Sequence, residues 1–122
     1  MIIGVGCDLV RTERIAKAVR NPHFLERIYS EAEIMAMEKS GLPDEFAAGR
    51  WAAKEAVAKA MGCGISLCPP CDVEILPDAL GKPCVSLKDA ALERMHTLGG
   101  SSLQLSISHE GGFSMAFAVL EE

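Results

Sequence analysis

The stretch from Arg50 to Ala60, RWAAKEAVAKA, limits more than any other what this chain can fold into. It holds five alanines, no proline or glycine, and only Arg, Lys and Glu as polar residues, which is helical composition. Small apolar side chains cover most of its circumference, so the pattern predicts a buried helix packed closely against its neighbours. Glu55 sits in the middle of that helix, and Lys59 lies one turn further on, on the same face. Two readings stand side by side. One is an exposed Glu-to-Lys pair, which is common and weakly stabilising. In the other, the flanking alanines place a carboxylate on a mostly buried helix, where it needs a cation, and a metal ion is one of the few available.

A chain of 122 residues is expected to form one compact domain spanning 1–122. Hydrophobic residues make up 49% and charged residues 24%, the balance of an ordinary soluble globular protein. A net charge of -5 argues against a nucleic-acid partner. No apolar run approaches membrane-spanning length, and Met1 leads directly into a strand-like segment without a signal peptide, so the expectation is a cytoplasmic protein with no membrane partner. The odd cysteine count (Cys7, Cys63, Cys68, Cys71, Cys84) speaks against a disulfide framework. Cys68-Pro-Pro-Cys71 has the spacing of a redox or zinc half-motif but stands alone, and buried or loop thiols are the plainer reading.

Taken in order, Ile2 to Val10 is β-branched and apolar, broken by Gly4 and Gly6, and reads as a buried first strand. Asp8 closes that strand in this reading, either capping the next helix or binding a metal. From Arg11 to about Arg20 the pattern is helical, with Ile15, Ala18 and Val19 as the apolar stripe and Arg14, Lys17 and Arg20 opposite. That basic face in an acidic chain is either a solvated surface or a contact for an acidic partner. Asn21-Pro22 breaks the helix, and Ser30 with Glu33 forms a capping-box pattern for a short helix ending near Gly41 and Pro43. Asp44 and Glu45 suit the first turn of the central helix, which stops at Gly62-Cys63-Gly64. The two glycines serve either a phosphate-bearing ligand or a plain helix end.

Two short strands follow, Asp72–Leu76 and Pro83–Leu87, then a helix from Lys88 to Leu98. Leu103, Leu105 and Ile107 alternate with polar residues, as do Phe113, Met115, Phe117 and Val119, and the two runs predict a hairpin across His109-Glu110-Gly111-Gly112. His109 at the strand end is either structural or available at the loop mouth.

These residues resemble the bacterial holo-[acyl-carrier-protein] synthases, the small type of 4'-phosphopantetheinyl transferase. Gly4-Val5-Gly6-Cys7-Asp8 is similar to the family's opening G-x-G-x-D motif, with Arg14 and Ile15 at the expected distance. Phe24 to Ser30 with Glu33 resembles the second segment, Arg50 to Ala60 the signature helix, and Ser106-Ile107-Ser108-His109 the last motif, with Gly81-Lys82-Pro83 a weaker match. Two positions depart: Cys63 stands where a hydroxyl residue is usual, and Glu110 follows His109 as a poor neighbour for a phosphate.

The resemblance implies an α+β fold, a long central helix on a small antiparallel sheet, assembled as a homotrimer. It implies transfer of 4'-phosphopantetheine from coenzyme A to a serine of apo acyl carrier protein, for fatty acid biosynthesis, releasing adenosine 3',5'-bisphosphate. Asp8 and Glu55 become the Mg²⁺ ligands and Glu55 and Lys59 the catalytic pair. Coenzyme A falls to Arg50, Lys59, Gly62, Gly64, Pro83 and His109, and carrier-protein docking to Arg14, Lys17 and Arg20. The rivals are a non-catalytic module that docks an acidic protein through its basic helix, and a Cys68–Cys71 redox or zinc site.

Overall fold

The computed structural model describes all of residues 1–122. Strand β1 (Ile2–Arg11) is followed by four helices, α1 (Thr12–Ala18), α2 (Pro22–Ile28), α3 (Glu31–Lys39) and α4 (Pro43–Ala60). A 3-10 turn (Pro70–Asp72) leads to the ribbon β2 (Val73–Pro77) and β3 (Pro83–Leu87). Helix α5 (Asp89–Thr97) precedes the hairpin β4 (Ser102–Glu110) and β5 (Phe113–Glu121). The sheets are antiparallel, ordered β1-β5-β4 and β2-β3. The expected α+β architecture, one long helix on a small antiparallel sheet, is the one observed.

Helix α4 organises the packing. Pro43, Asp44 and Glu45 occupy its first turn, where a missing N–H and negative charge are both favourable. Ala47, Ala48, Ala52, Ala53 and Ala56 are fully buried. Alanines leave little for a neighbour to interlock with, so the sheet must come close, and its facing residues must be small. A Cβ at Gly4 would run into the Ala60 carbonyl, and one at Gly6 would collide with the Ala56 carbonyl. On β5 the inward row is Ser114, Ala116, Ala118 and Leu120, all fully buried.

This settles which face of the last strand is inward, which the alternation alone left open. Phe113, Met115 and Phe117 alternate as expected, yet they face away from α4, 37–42% exposed. Opposite them on β1 stand Leu9, paired with Met115, and Cys7, paired with Phe117. Val5 and Leu9 are likewise exposed. The outer sheet face is therefore an uncovered apolar patch.

Helix α2 was not legible as a separate element. The Asn21-Pro22 pair that ends α1 also starts α2, the Asn21 side chain accepting from the His23 N–H at 2.9 Å with Pro22 in the first turn. The Ser30–Glu33 capping box forms as predicted, Glu33 N–H donating to Ser30 Oγ at 3.1 Å and Ser30 N–H to Glu33 Oε1 at 2.9 Å. Glu33 does more than cap. Fully buried, it accepts from Lys54 Nζ at 2.8 Å and from the Ile75 N–H at 2.9 Å. Lys54 Nζ also donates to the carbonyls of Pro70 and Val73. One ion pair thus fastens α3, α4 and β2 together.

Candidate active site

The inward face of β1 reads Gly4, Gly6, Asp8 by simple alternation. The two glycines seat the strand on the end of α4, and the next inward side chain, Asp8, is carried to the same place. Its strand continues to Arg11, the residue just before α1, so Asp8 lies mid-strand opposite Ala116 and caps nothing. Asp8 Oδ1 accepts from Lys59 Nζ at 3.2 Å, and the same Nζ donates to the Cys7 carbonyl at 2.9 Å.

Glu55 completes the centre. It is half-buried rather than buried, and it forms no ion pair with Lys59. Its carboxyl is held above the usual carboxylate range, first by partial burial and next by the negative charge of Asp8, while Lys59 and Arg14 pull it down. A carboxylate whose ionisation is opposed by a neighbouring one gains from a shared cation. Their hard oxygen donors fit Mg²⁺, which takes one or two carboxylates and fills its remaining positions with water and phosphate oxygens.

Gly62 and Gly64 follow directly on α4, Gly62 at φ +65° and both exposed. No side chain lies within 4 Å of the space a Cβ would fill at Gly64. Between them Cys63 is half-buried, its N–H donating to the Ala58 carbonyl at 3.1 Å. Arg94 on α5 closes this end from the side, Nε donating to the Met61 carbonyl at 3.0 Å.

The other predicted residues lie elsewhere in the subunit. Arg50 stands nine residues before Lys59, about 14 Å along the helix axis. Its Nε donates to the Ile75 carbonyl at 3.4 Å and its guanidinium lies 4.0 Å from the Phe46 ring centroid. There it lines a cavity of about 450 Å³ with Lys39, Ser40, Pro77 and Gly81. Pro83 pairs with Pro77 on this same ribbon, so Arg50 and Pro83 belong to one region. His109, near the end of β4, packs its ring against Gly49, the residue before Arg50, and also lines a cleft of about 340 Å³ with Leu9, Glu110, Phe113 and Met115. Glu110 therefore shares the histidine's cleft.

Arg14 and Lys17 on α1 and Arg20 in the turn after it are all exposed, but they do not act as one patch. Lys17 pairs with Glu13 at 3.0 Å, and Lys17 and Arg20 line a groove with Arg11, Thr12 and the Gly111-Gly112 turn. Arg14 is felt instead at Glu55. Cys68 is buried and Cys71 exposed. Burial pushes the Cys68 thiol up to about 12, the opposite of what a reactive thiolate needs. Sequence reasoning missed Lys54, whose partner Glu33 was visible only as a cap, and Ser114, which stands in the row between the large apolar residues of the last strand.

Fold and site define a class: a small α+β protein whose alanine-rich helix sets an acidic pair beside a lysine and ends in a glycine turn. The chain belongs to the 4'-phosphopantetheinyl transferase superfamily, whose sequence profile matches residues 4–118. It is 40% identical to the holo-[acyl-carrier-protein] synthase of Clostridium tetani, over 99% of this chain and 97% of that one. Identity to the Clostridium novyi holo-[acyl-carrier-protein] synthase is 43%, over 99% and 88%. Among solved structures, the Neisseria meningitidis holo-[acyl-carrier-protein] synthase superposes with a TM-score of 0.90 at 36% identity, covering 100% of both chains. The Helicobacter pylori holo-[acyl-carrier-protein] synthase, solved in complex with coenzyme A, gives 0.84 at 33% identity, covering 96% of this chain and 99% of that one. No helix is long and apolar enough to cross a membrane.

Proposed function

We propose that this chain transfers 4'-phosphopantetheine from coenzyme A to a serine hydroxyl of apo acyl carrier protein, with residues 1–122 acting as one transferase domain. The observation that carries the reading is the coupled pair Asp8 and Glu55, set beside Lys59 at the end of the helix that identifies the family. The serine oxygen attacks the phosphorus nearer the pantetheine arm. The bond to the bridging oxygen breaks, and adenosine 3',5'-bisphosphate leaves with that oxygen.

Asp8 and Glu55 would hold Mg²⁺, which when bound neutralises the diphosphate and polarises the phosphorus under attack. Lys59 supplies a mobile positive charge for the oxygens that gain charge in the transition state. The serine proton passes to Glu55 or to a water held beside it. The turn Gly62–Gly64 offers backbone to the ligand without side-chain obstruction. Arg50 and His109 are assigned to the phosphates of the nucleotide end and Pro83 to its flank.

Arg50 and His109 stand further back along α4 from Lys59, so the ligand must be extended, and a second subunit can contribute to its enclosure. The uncovered face of Leu9, Met115 and Phe117 supports that assembly, and we take it as a homotrimer, as the resemblance implies. Arg14, Lys17 and Arg20 receive the acidic carrier protein. The reaction places the protein in the cytoplasm, where coenzyme A and fatty acid synthesis are found.

The test is direct. Incubation with coenzyme A, Mg²⁺ and apo acyl carrier protein should add the mass of phosphopantetheine to the carrier. Asp8→Asn and Glu55→Gln should each reduce that transfer by on the order of 100-fold with the fold intact. Carrier docking without any mass gain in the wild-type protein would identify a binding module instead.

A further inference from the structure

Ser114 has no structural reason to be a serine. It stands first in the inward row Ser114, Ala116, Ala118, Leu120, and it is fully buried. A hydroxyl in such a place is costly unless it is hydrogen-bonded, and alanine would complete the row at no loss. Its Oγ is in fact bonded twice, 2.7 Å from Thr12 Oγ1 and 2.8 Å from His109 Nδ1. His109 is the cross-strand partner of Ser114. Thr12 is the first residue of α1, fixed by its own N–H, which donates to the Gly112 carbonyl at 2.9 Å.

The opposite edge of the imidazole lies against α4 at a position without a side chain. A Cβ at Gly49 would come within 3.0 Å of His109 Cε1 and 3.2 Å of Nε2. The ring is therefore held on both edges by three other elements, β5, α1 and α4. Nδ1 is bonded inward, and Nε2 has no protein partner in the subunit.

We infer that Thr12 and Ser114 are positioning residues, a relay of two hydroxyls that fixes the His109 ring and leaves Nε2 as the nitrogen offered to ligand. A hydroxyl both donates and accepts, so the relay can run in either direction. In the neutral ring Thr12 donates to Ser114, Ser114 donates to Nδ1, and the ring proton sits on Nε2. In the doubly protonated ring Nδ1–H donates to Ser114 and Ser114 donates to Thr12. Both arrangements present an N–H at Nε2, the donor that an anionic phosphate oxygen requires. Its value for catalysis rests on the proposed contact between His109 and coenzyme A. The relay itself is open to measurement without that ligand.

The experiment compares Ser114→Ala, Thr12→Val, Thr12→Ser and His109→Ala with the wild type. Ring ¹⁵N signals of His109, assigned by their loss in His109→Ala, report the tautomer in the free protein. The wild type should show the Nε2–H form, and Ser114→Ala and Thr12→Val should both move the signals, whereas Thr12→Ser keeps them. In steady state the first two variants should raise the KM for coenzyme A about three- to tenfold, the usual worth of one hydrogen bond, with kcat nearly unchanged. Wild-type ring signals in both Ser114→Ala and Thr12→Val would overturn the relay, as would a dominant Nδ1–H tautomer in the wild type. Displaced ring signals with an unchanged KM in all of them, His109→Ala included, would support the relay and overturn the assignment of His109 to coenzyme A.

Discussion

Lys59 turns away from Glu55, its neighbour one helical turn back, and reaches across to β1, where its Nζ meets Asp8 Oδ1 at 3.2 Å. The lysine is half-exposed and the aspartate mostly covered, so the pair is anchored on the strand side. Lys59 neutralises one carboxylate of the acidic centre and leaves the other to its partial burial. A cation bound by Asp8 and Glu55, as proposed, would take over that task and leave Lys59 free for an anionic ligand.

Lys59→Met should therefore separate metal binding from turnover. With the lysine gone, Asp8 and Glu55 face each other without compensation, and Mg²⁺ in the absence of coenzyme A should bind more tightly, by about two- to fivefold for an exposed pair. Transfer should fall by on the order of 100-fold, because the positive charge at the reacting oxygens is lost. Calorimetric titration of Mg²⁺ and the carrier mass assay read the two effects. Unchanged or weaker metal binding in the variant would show that Lys59 does not compete for Asp8.

The raised proton affinity of Glu55 has a stability consequence with a definite sign. The folded protein holds this proton more tightly than the unfolded chain, whose reference value is 4.5. Folding is therefore opposed by Glu55 as pH rises from that value through its higher folded-state pKa, and the full penalty stands above both. Glu55→Gln should raise the melting temperature of the metal-free protein at neutral pH, slightly, since the group is partly solvated. The gain should vanish below about pH 4.5, where the glutamate is protonated in both states. Melting curves from pH 4 to 8 without metal decide it, and a variant less stable than wild type at pH 7 would refute the assignment.

Glu33 and Lys54 make a different kind of pair, both side chains at most 1% exposed. Burial lowers the Lys54 pKa and Glu33 opposes the shift, so each charge depends on the other. Lys54→Met alone leaves a buried carboxylate uncompensated and should destabilise by about 3–5 kcal/mol in denaturant unfolding. Adding Glu33→Gln should recover much of that loss. A double variant as unstable as the sum of the two single ones would mean that the charges are not coupled.

The outer sheet face yields an assembly prediction. Phe117→Glu places a charge in the patch of Cys7, Leu9 and Met115, outside the core of the subunit. The variant should stay folded by circular dichroism and sediment as a monomer, with transfer lost. A variant that sediments like the wild type would move the subunit interface to another surface.

Much of this was legible in the sequence, for one reason. Element types follow from local pattern: the alanine helix, the Ser30–Glu33 box and the two strand pairs all report themselves within a few residues. Which face of a strand is buried is a tertiary property. Alternation at Phe113, Met115 and Phe117 marks a strand without naming its inner face, and a helix as smooth as α4 selects glycine and alanine as its neighbours. The all-alanine surface was itself the signal, since it required Gly4, Gly6, Ala116 and Ala118 to face it. Asp8 followed from the same alternation. The packing of His109 against Gly49, beside Arg50, was not available, because spacing along a chain does not say which end of a helix a distant strand will reach.

The basic helix α1 ends the list of tests, and here the structure separates residues that the sequence grouped. Lys17 shares its charge with Glu13, while Lys17 and Arg20 border one groove. Arg14 instead lowers the proton affinity of Glu55. Exposed charges steer association, so Arg20→Glu should raise the KM for the acidic carrier protein several-fold, about three- to tenfold at low salt, and leave that for coenzyme A nearly unchanged. Screening over a Debye length of about 8 Å at physiological salt should shrink the difference. Arg14→Glu should do the same and add a second effect. Loss of its positive charge raises the Glu55 pKa further, so the acid limb of the rate profile should move to higher pH, while Arg20→Glu leaves the limb in place. Carrier-protein kinetics at two salt concentrations, together with pH profiles of kcat, distinguish the two roles. Identical pH profiles for Arg14→Glu and Arg20→Glu would remove Arg14 from the acidic centre, and unchanged carrier kinetics in both would leave α1 a solvated face.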